Sequence, residues 1–146
     1  LFSYANAGHD PAWLIEASGD VRELEATGML LGIDENEVWE EKSLELPQQG
    51  RLAISTDGIT ETFGDNDEMF SKERLLSTLL ECRTRSLAET NENARHIVDA
   101  HRGDGEQTDD VTLLLLEFVS SERLGNSIST DSKTGVERVY QRPLVS

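Results

Sequence analysis

Apolar and polar positions alternate at the front of the chain, and the alternation predicts strands over Phe2–Ala7 and Ala12–Ala17, broken by Gly8-His9-Asp10-Pro11. Ser18-Gly19-Asp20 supplies a turn, and Val21–Glu25 returns as the second arm of a hairpin. Gly28-Met-Leu-Leu-Gly32 reads as a packed loop. Val38, Leu44 and Leu46, interleaved with charges, predict a half-exposed strand over Val38–Leu46. Leu52-Ala-Ile-Ser-Thr56 has the apolar, small character of a central strand, with its loop beginning at Asp57-Gly58. The period then changes. Ser71 caps a helix with Leu75, Leu76, Leu79 and Leu80 on one face. Ser86-Leu-Ala-Glu89 is a capping box opening a second helix, whose inner stripe is Leu87, Ala94, Ile97, Val98 and His101 and which Gly103 ends. The run Val111–Phe118 predicts a buried strand. Strands, two helices, then a strand indicate an α+β fold with mostly antiparallel sheet.

The chain has 146 residues, of which 36% are hydrophobic and 29% charged, enough for one globular domain. No apolar run approaches the roughly 20 residues of a membrane span, so no direct membrane contact is expected from this segment. The single cysteine, Cys82, lies in a leucine-rich helical stretch and reads as a packed thiol; lacking any disulfide partner, it fits a cytoplasmic setting. Net charge is −16, unevenly spread: residues 1–119 hold 26 Asp/Glu against 9 Lys/Arg, whereas residues 120–146 hold 3 against 4. So acidic a body repels polyanions, which argues against nucleic acid as a partner. Residues 1–119 therefore form the expected domain and the polar, aperiodic residues 120–146 a flexible tail or linker. The opening Leu1-Phe-Ser-Tyr-Ala reads as a strand entered partway, as in a fragment of a longer protein.

Two carboxylates have a physical logic. Asp57 follows one apolar strand and Asp109 precedes another. If those strands are antiparallel neighbours, both acids stand at the same sheet end, where they either share a proton or bind a cation such as Mg²⁺ or Mn²⁺, unless each simply caps its turn. The acidic string Asp65-Asn-Asp-Glu68 invites a calcium loop, but its spacing lacks the glycine and distal glutamate of an EF-hand.

Four strings occur in fixed order: Tyr4-Ala-Asn-Ala-Gly-His-Asp-Pro11, Gly28-Met-Leu-Leu-Gly-Ile33, Ser55-Thr-Asp-Gly-Ile-Thr-Glu61 and Asp109-Asp-Val-Thr-Leu113. Together they closely resemble the SpoIIE/RsbU branch of the PPM (PP2C-like) serine/threonine phosphatases, over about residues 1–118, the later part of that domain. The resemblance implies an αββα sandwich of two antiparallel sheets flanked by helices. It also implies that Asp57 and Asp109 are catalytic metal ligands in a centre that, in the complete domain, holds two Mn²⁺ or Mg²⁺ ions and a bridging water. Around them it implies a second shell or substrate-side set: Asn6 and Gly8 shaping a loop, His9 in structural support or hydrogen bonding to phosphate, Gly58, Glu61 near a weaker third ion, and Asp110 orienting its neighbour. His9 stands where eukaryotic relatives commonly carry Asp, in agreement with the SpoIIE/RsbU type. His96 and His101 read as surface or core residues.

The implied activity is hydrolysis of phosphoserine or phosphothreonine on a protein, with a phosphorylated STAS-domain anti-anti-sigma regulator as the expected substrate. The resemblance implies a front half that supplies an Asp-containing segment with further ligands and has no counterpart before Leu1; the missing N-terminal half or an upstream sensor domain is an expected partner, and the isolated chain is expected to be inactive. The competing reading is a non-catalytic phosphatase-fold module that works by binding.

Overall fold

A computed structural model describes residues 1–118; the expected tail, 120–146, lies outside the described residues. In chain order the elements are β1 (Phe2–Tyr4), β2 (Ala12–Glu16), β3 (Val21–Leu24), β4 (Lys42–Leu44), β5 (Gly50–Ser55), α1 (Asp57–Thr60), α2 (Lys72–Glu81), α3 (Leu87–Arg102) and β6 (Leu113–Phe118). They form two antiparallel sheets, a small pair β1-β4 and a four-stranded sheet in the order β3-β2-β5-β6. This is an α+β architecture with two antiparallel sheets and helices, as expected for part of an αββα sandwich.

The larger sheet is buried at its centre on both faces. Trp13 and Ile15 of β2, Ala53 of β5 and Leu115 of β6 meet Leu75 and Leu79 of α2, Val98 of α3, and Ile59 and Phe70 from the segment between β5 and α2. On the opposite face Leu14, Leu52 and Leu116 lie side by side across the ladder, with Leu14 and Leu52 buried. Burial on both faces is why Leu52–Ser55 and Leu113–Leu116 read as continuous apolar runs.

Several boundaries differ from expectation. The first strand ends at Tyr4, and the chain beyond it pairs instead with the segment before Met29: Thr27 N–H donates to Asn6 O at 2.8 Å and Ala7 bridges Gly28. The half-exposed strand shrinks to Lys42–Leu44, since its partner offers only three residues, Phe2↔Leu44, Ser3↔Ser43 and Tyr4↔Lys42. Val111 and Thr112 precede rather than begin the last strand. The segment after β5 is not a loop starting at Asp57: Asp57 is the first residue of a short helix, and Glu61 N–H donates to its carbonyl at 2.8 Å.

The helix starts follow the capping logic. Ser71 Oγ accepts from Arg74 N–H, and Ser86 with Glu89 forms a complete capping box. The Ser86 hydroxyl and then its backbone N–H, both donating to the Glu89 carboxylate, hold that acid below its ordinary 4.5. A depressed carboxyl contributes stability above its unfolded-state value and loses it as pH falls through the folded-state value. The melting-temperature difference between the native chain and Glu89→Gln should therefore be present near neutral pH and shrink as pH drops below about 5. A difference independent of pH would contradict the cap.

Candidate functional site

The site is positioned by the β5-β6 ladder. Its register runs from Gly50↔Phe118 to Ser55↔Leu113, so the end of β5 meets the beginning of β6. Beyond that last rung the two chains stay stitched through one residue, Thr56. Its N–H donates to Thr112 O at 3.1 Å, its hydroxyl donates to Asp110 O at 2.6 Å, and the same oxygen accepts Thr112 N–H at 2.9 Å. Asp57 follows on the first turn of α1, exposed, and among the described residues its carboxylate makes no hydrogen bond or ion pair.

Gly58 is buried against the facing segment. A Cβ built there would lie 2.5 Å from Asp110 O and 3.3 Å from the Asp109 carbonyl carbon, so only glycine permits this approach. On the other side Asp109 is exposed, and its Oδ1 accepts the Asp110 N–H at 2.7 Å. Gln107 Nε2 donates to Asp109 O at 2.9 Å, further fixing the turn. The Asp57-Gly58 and Asp109-Asp110 segments are thus packed against each other. Glu61, exposed, ends α1.

The His9 loop is built separately. Asn6 clamps it from both sides, Oδ1 accepting His9 N–H at 2.8 Å and Nδ2 donating to His9 O at 3.0 Å. Gly8 has φ +78° and lies under Leu30, where a Cβ would come within 2.9 Å of Leu30 Cγ. His9 Nδ1–H donates to Asp10 O, and Asp10 is paired with Lys72 at the start of α2 at 2.7 Å. Among the described residues no hydrogen bond links His9 to Asp57 or Asp109. His101 sits between α2 and the 62–70 loop, its Nδ1 2.8 Å from Arg74 Nη1 and its Nε2 2.8 Å from Glu68 O; His96 is exposed.

The donors at the sheet end suit hard cations such as Mg²⁺ and Mn²⁺ in kind, being carboxylate oxygens. Their number falls short. Among the described residues no three His, Cys, Asp or Glu side chains gather to hold an ion.

Sequence reasoning missed Thr56, although a hydroxyl residue before Asp-Gly at a strand end is the available signal. It also missed Arg51, a charge inside an apolar strand.

Comparison with known proteins decides the family. The model of the family described as Stage II sporulation protein E (SpoIIE) matches residues 1–119. The chain belongs to the SpoIIE family. It is similar in fold to the SiaA-PP2C domain of Pseudomonas aeruginosa, with a TM-score of 0.67 and 22% identity, covering 80% of this chain and 45% of that one. It is also 34% identical over 77 residues to Protein IcfG of Synechocystis sp., a stretch that is 53% of this chain and 12% of that protein. The chain thus carries a PP2C-type phosphatase fold and spans under half of the SiaA domain and a small part of IcfG. Among the described residues no helix is long and apolar enough to cross a membrane.

Proposed function

We propose that this chain forms part of a Mn²⁺- or Mg²⁺-dependent protein serine/threonine phosphatase, acting in the cytoplasm on a phosphorylated STAS-domain regulator. Membership of the SpoIIE family supports a phosphatase fold, and the meeting of the Asp57-Gly58 and Asp109-Asp110 segments at one sheet end carries the reading further. Asp57 and Asp109 would contribute carboxylate oxygens to the metal centre, with the remaining ligands supplied by residues outside 1–118. Bound ions would supply an activated water and neutralise charge on the phosphoryl oxygens. The chain's own task is positioning. Thr56 holds the two strand ends in register, Gly58 lets them touch, and the Asp110 N–H fixes Asp109 Oδ1 while Oδ2 has no hydrogen-bond partner among the described residues. Asn6 and Gly8 would shape the loop that presents His9 to the phosphate side, and Glu61 would stand near a weaker third ion. The competing reading, a phosphatase fold that only binds, draws on the absence of a three-ligand group among the described residues.

Hydrolysis of an aryl phosphate by the complete protein separates the two. Turnover that requires added Mn²⁺ or Mg²⁺ and stops in excess chelator is expected. Full turnover in chelator contradicts the metal-dependent reading, and no turnover with either ion favours the binding module. The isolated 146-residue chain is expected to be inactive under the same conditions.

A further inference from the structure

Between β3 and β4 the chain passes through residues 25–41 without helix or strand, yet this connection is closely built. Trp39 Nε1–H donates to Met29 O at 2.7 Å and Met29 N–H donates to Glu37 Oε1 at 2.8 Å, clamping its two arms together. Gly28 lies against the Trp39 ring, where a Cβ would come within 2.6 Å of Cδ1. The base of the connection is tied to the residues just before His9. Thr27 N–H donates to Asn6 O, Asn6 N–H donates to Thr27 Oγ1 at 3.0 Å, and Leu30 lies over Gly8.

This connection turns apolar side chains outward. Leu31, Ile33 and Val38 are 73%, 68% and 80% exposed. The turn between the arms is made by other residues: Gly32, with φ +82°, and Asp34, whose Oδ1 accepts Asn36 N–H at 2.9 Å. Large apolar groups displayed together on a hydrogen-bonded loop mark a contact surface. Their surroundings select the occupant. Residues 25–41 hold six acids, among them Asp34, Glu35, Glu40 and Glu41, and no lysine or arginine. That rim repels a second copy of the same surface, an anionic lipid headgroup layer and a nucleic acid alike. It attracts a protein surface whose apolar side chains are edged by lysine or arginine. Because the patch shares its base with the His9 loop, a protein seated on it lies beside the candidate phosphate side.

We propose that Leu31, Ile33 and Val38 form a docking patch for the phosphoprotein substrate, which meets it with leucine-type side chains flanked by lysine or arginine. The proposal rests on the phosphatase reading above and names the substrate feature that the same site selects. The test uses three phosphoserine peptides of equal length: one flanked by leucines and lysines, one with glutamates for the lysines, and one with serines for the leucines. With Mn²⁺ and the complete protein, kcat/KM for the first should exceed that for either of the others at least about tenfold. Leu31→Asp/Ile33→Asp/Val38→Asp should abolish this preference through KM, leaving the melting temperature and the hydrolysis of an aryl phosphate, which has no flank to dock, unchanged. A second arm needs no turnover. The 146-residue chain has two tryptophans, Trp13 buried in the core and Trp39 half-buried in the connection, so its fluorescence, titrated in chelator, should respond to the leucine-lysine peptide alone. Absence of aryl phosphate turnover would strike the phosphatase reading, and the fluorescence arm would then decide the docking by itself. Equal kcat/KM for the three peptides, equal fluorescence responses, or a preference retained by the triple variant overturns the proposal. A lowered melting temperature for the triple variant overturns it too, since the patch would then be covered within the protein.

Discussion

In the complete protein, Asp57→Asn and Asp109→Asn should each lower metal-dependent hydrolysis of an aryl phosphate by at least about a hundredfold while leaving the melting temperature nearly unchanged. Both side chains are exposed and neither supports the core, so their loss removes a donor charge without opening a cavity. The Asp57 carboxylate makes no bond within the described residues, and Asp109 gives up only the short contact from Asp110 N–H. Asn keeps the shape and one oxygen but loses the negative charge that a hard divalent ion requires. Asp110→Asn should cost less, because the Asp110 groups that hold the site are its backbone N–H and C=O. Steady-state rates across a Mn²⁺ series, with thermal melts alongside, check all three. Activity within a fewfold of native for Asp57→Asn would remove it from the centre.

The largest stability effect should come from Arg51. Arg51→Met preserves much of the aliphatic volume but leaves Arg85 O without a donor among the described residues, weakens the hold on Cys82 O and Thr90, and strands one end of the Glu117 pair. Buried polar groups left without partners cost about 1–3 kcal/mol each, and breaking a buried ion pair from one side about 3–5 kcal/mol. Glu117 is 41% exposed and water can reach it, which places the expected total near 3 kcal/mol. For a domain of this size that is a fall in melting temperature of roughly 10 °C. Glu117→Gln retains an acceptor and should cost less than about 1 kcal/mol. Thermal denaturation of the three chains distinguishes them. Equal losses for both substitutions would show that the ion pair, rather than the anchoring of the α2–α3 turn, is the stabilising feature.

How much of this was legible in the sequence depends on whether the cause is local. Ser86-Leu-Ala-Glu89 announced its capping box because both partners lie within one helical turn. The hairpin β2-β3 was visible for the same reason, its turn residues being adjacent to the alternation they connect. The leucines of α2 fell on the inner face as their period required, with Leu75 and Leu79 fully buried and Leu76 and Leu80 at its margin. Non-local causes were hidden. Val38–Leu46 has strand character along nine residues, yet its pairing is limited by the three-residue length of β1. The four-residue helix at Asp57 is shorter than any periodicity can register, and it exists because Thr56 and Gly58 press that segment against Asp110. Arg51 looked like an interruption of an apolar strand; only the fold shows that carbonyls of Cys82 and Arg85 converge on it. For the candidate site, residue types and spacing left two readings of Asp57 and Asp109 open. The antiparallel neighbourhood of β5 and β6, on which the cation reading depended, required the structure.

Anomalous diffraction at the manganese edge from crystals of the complete protein grown with Mn²⁺ tests that reading most directly. The expected result is an anomalous peak bonded to carboxylate oxygens of both Asp57 and Asp109, at a distance of roughly 2.2 Å. Manganese peaks that touch neither side chain, or the two carboxylates turned to separate ions with no shared centre, would contradict it.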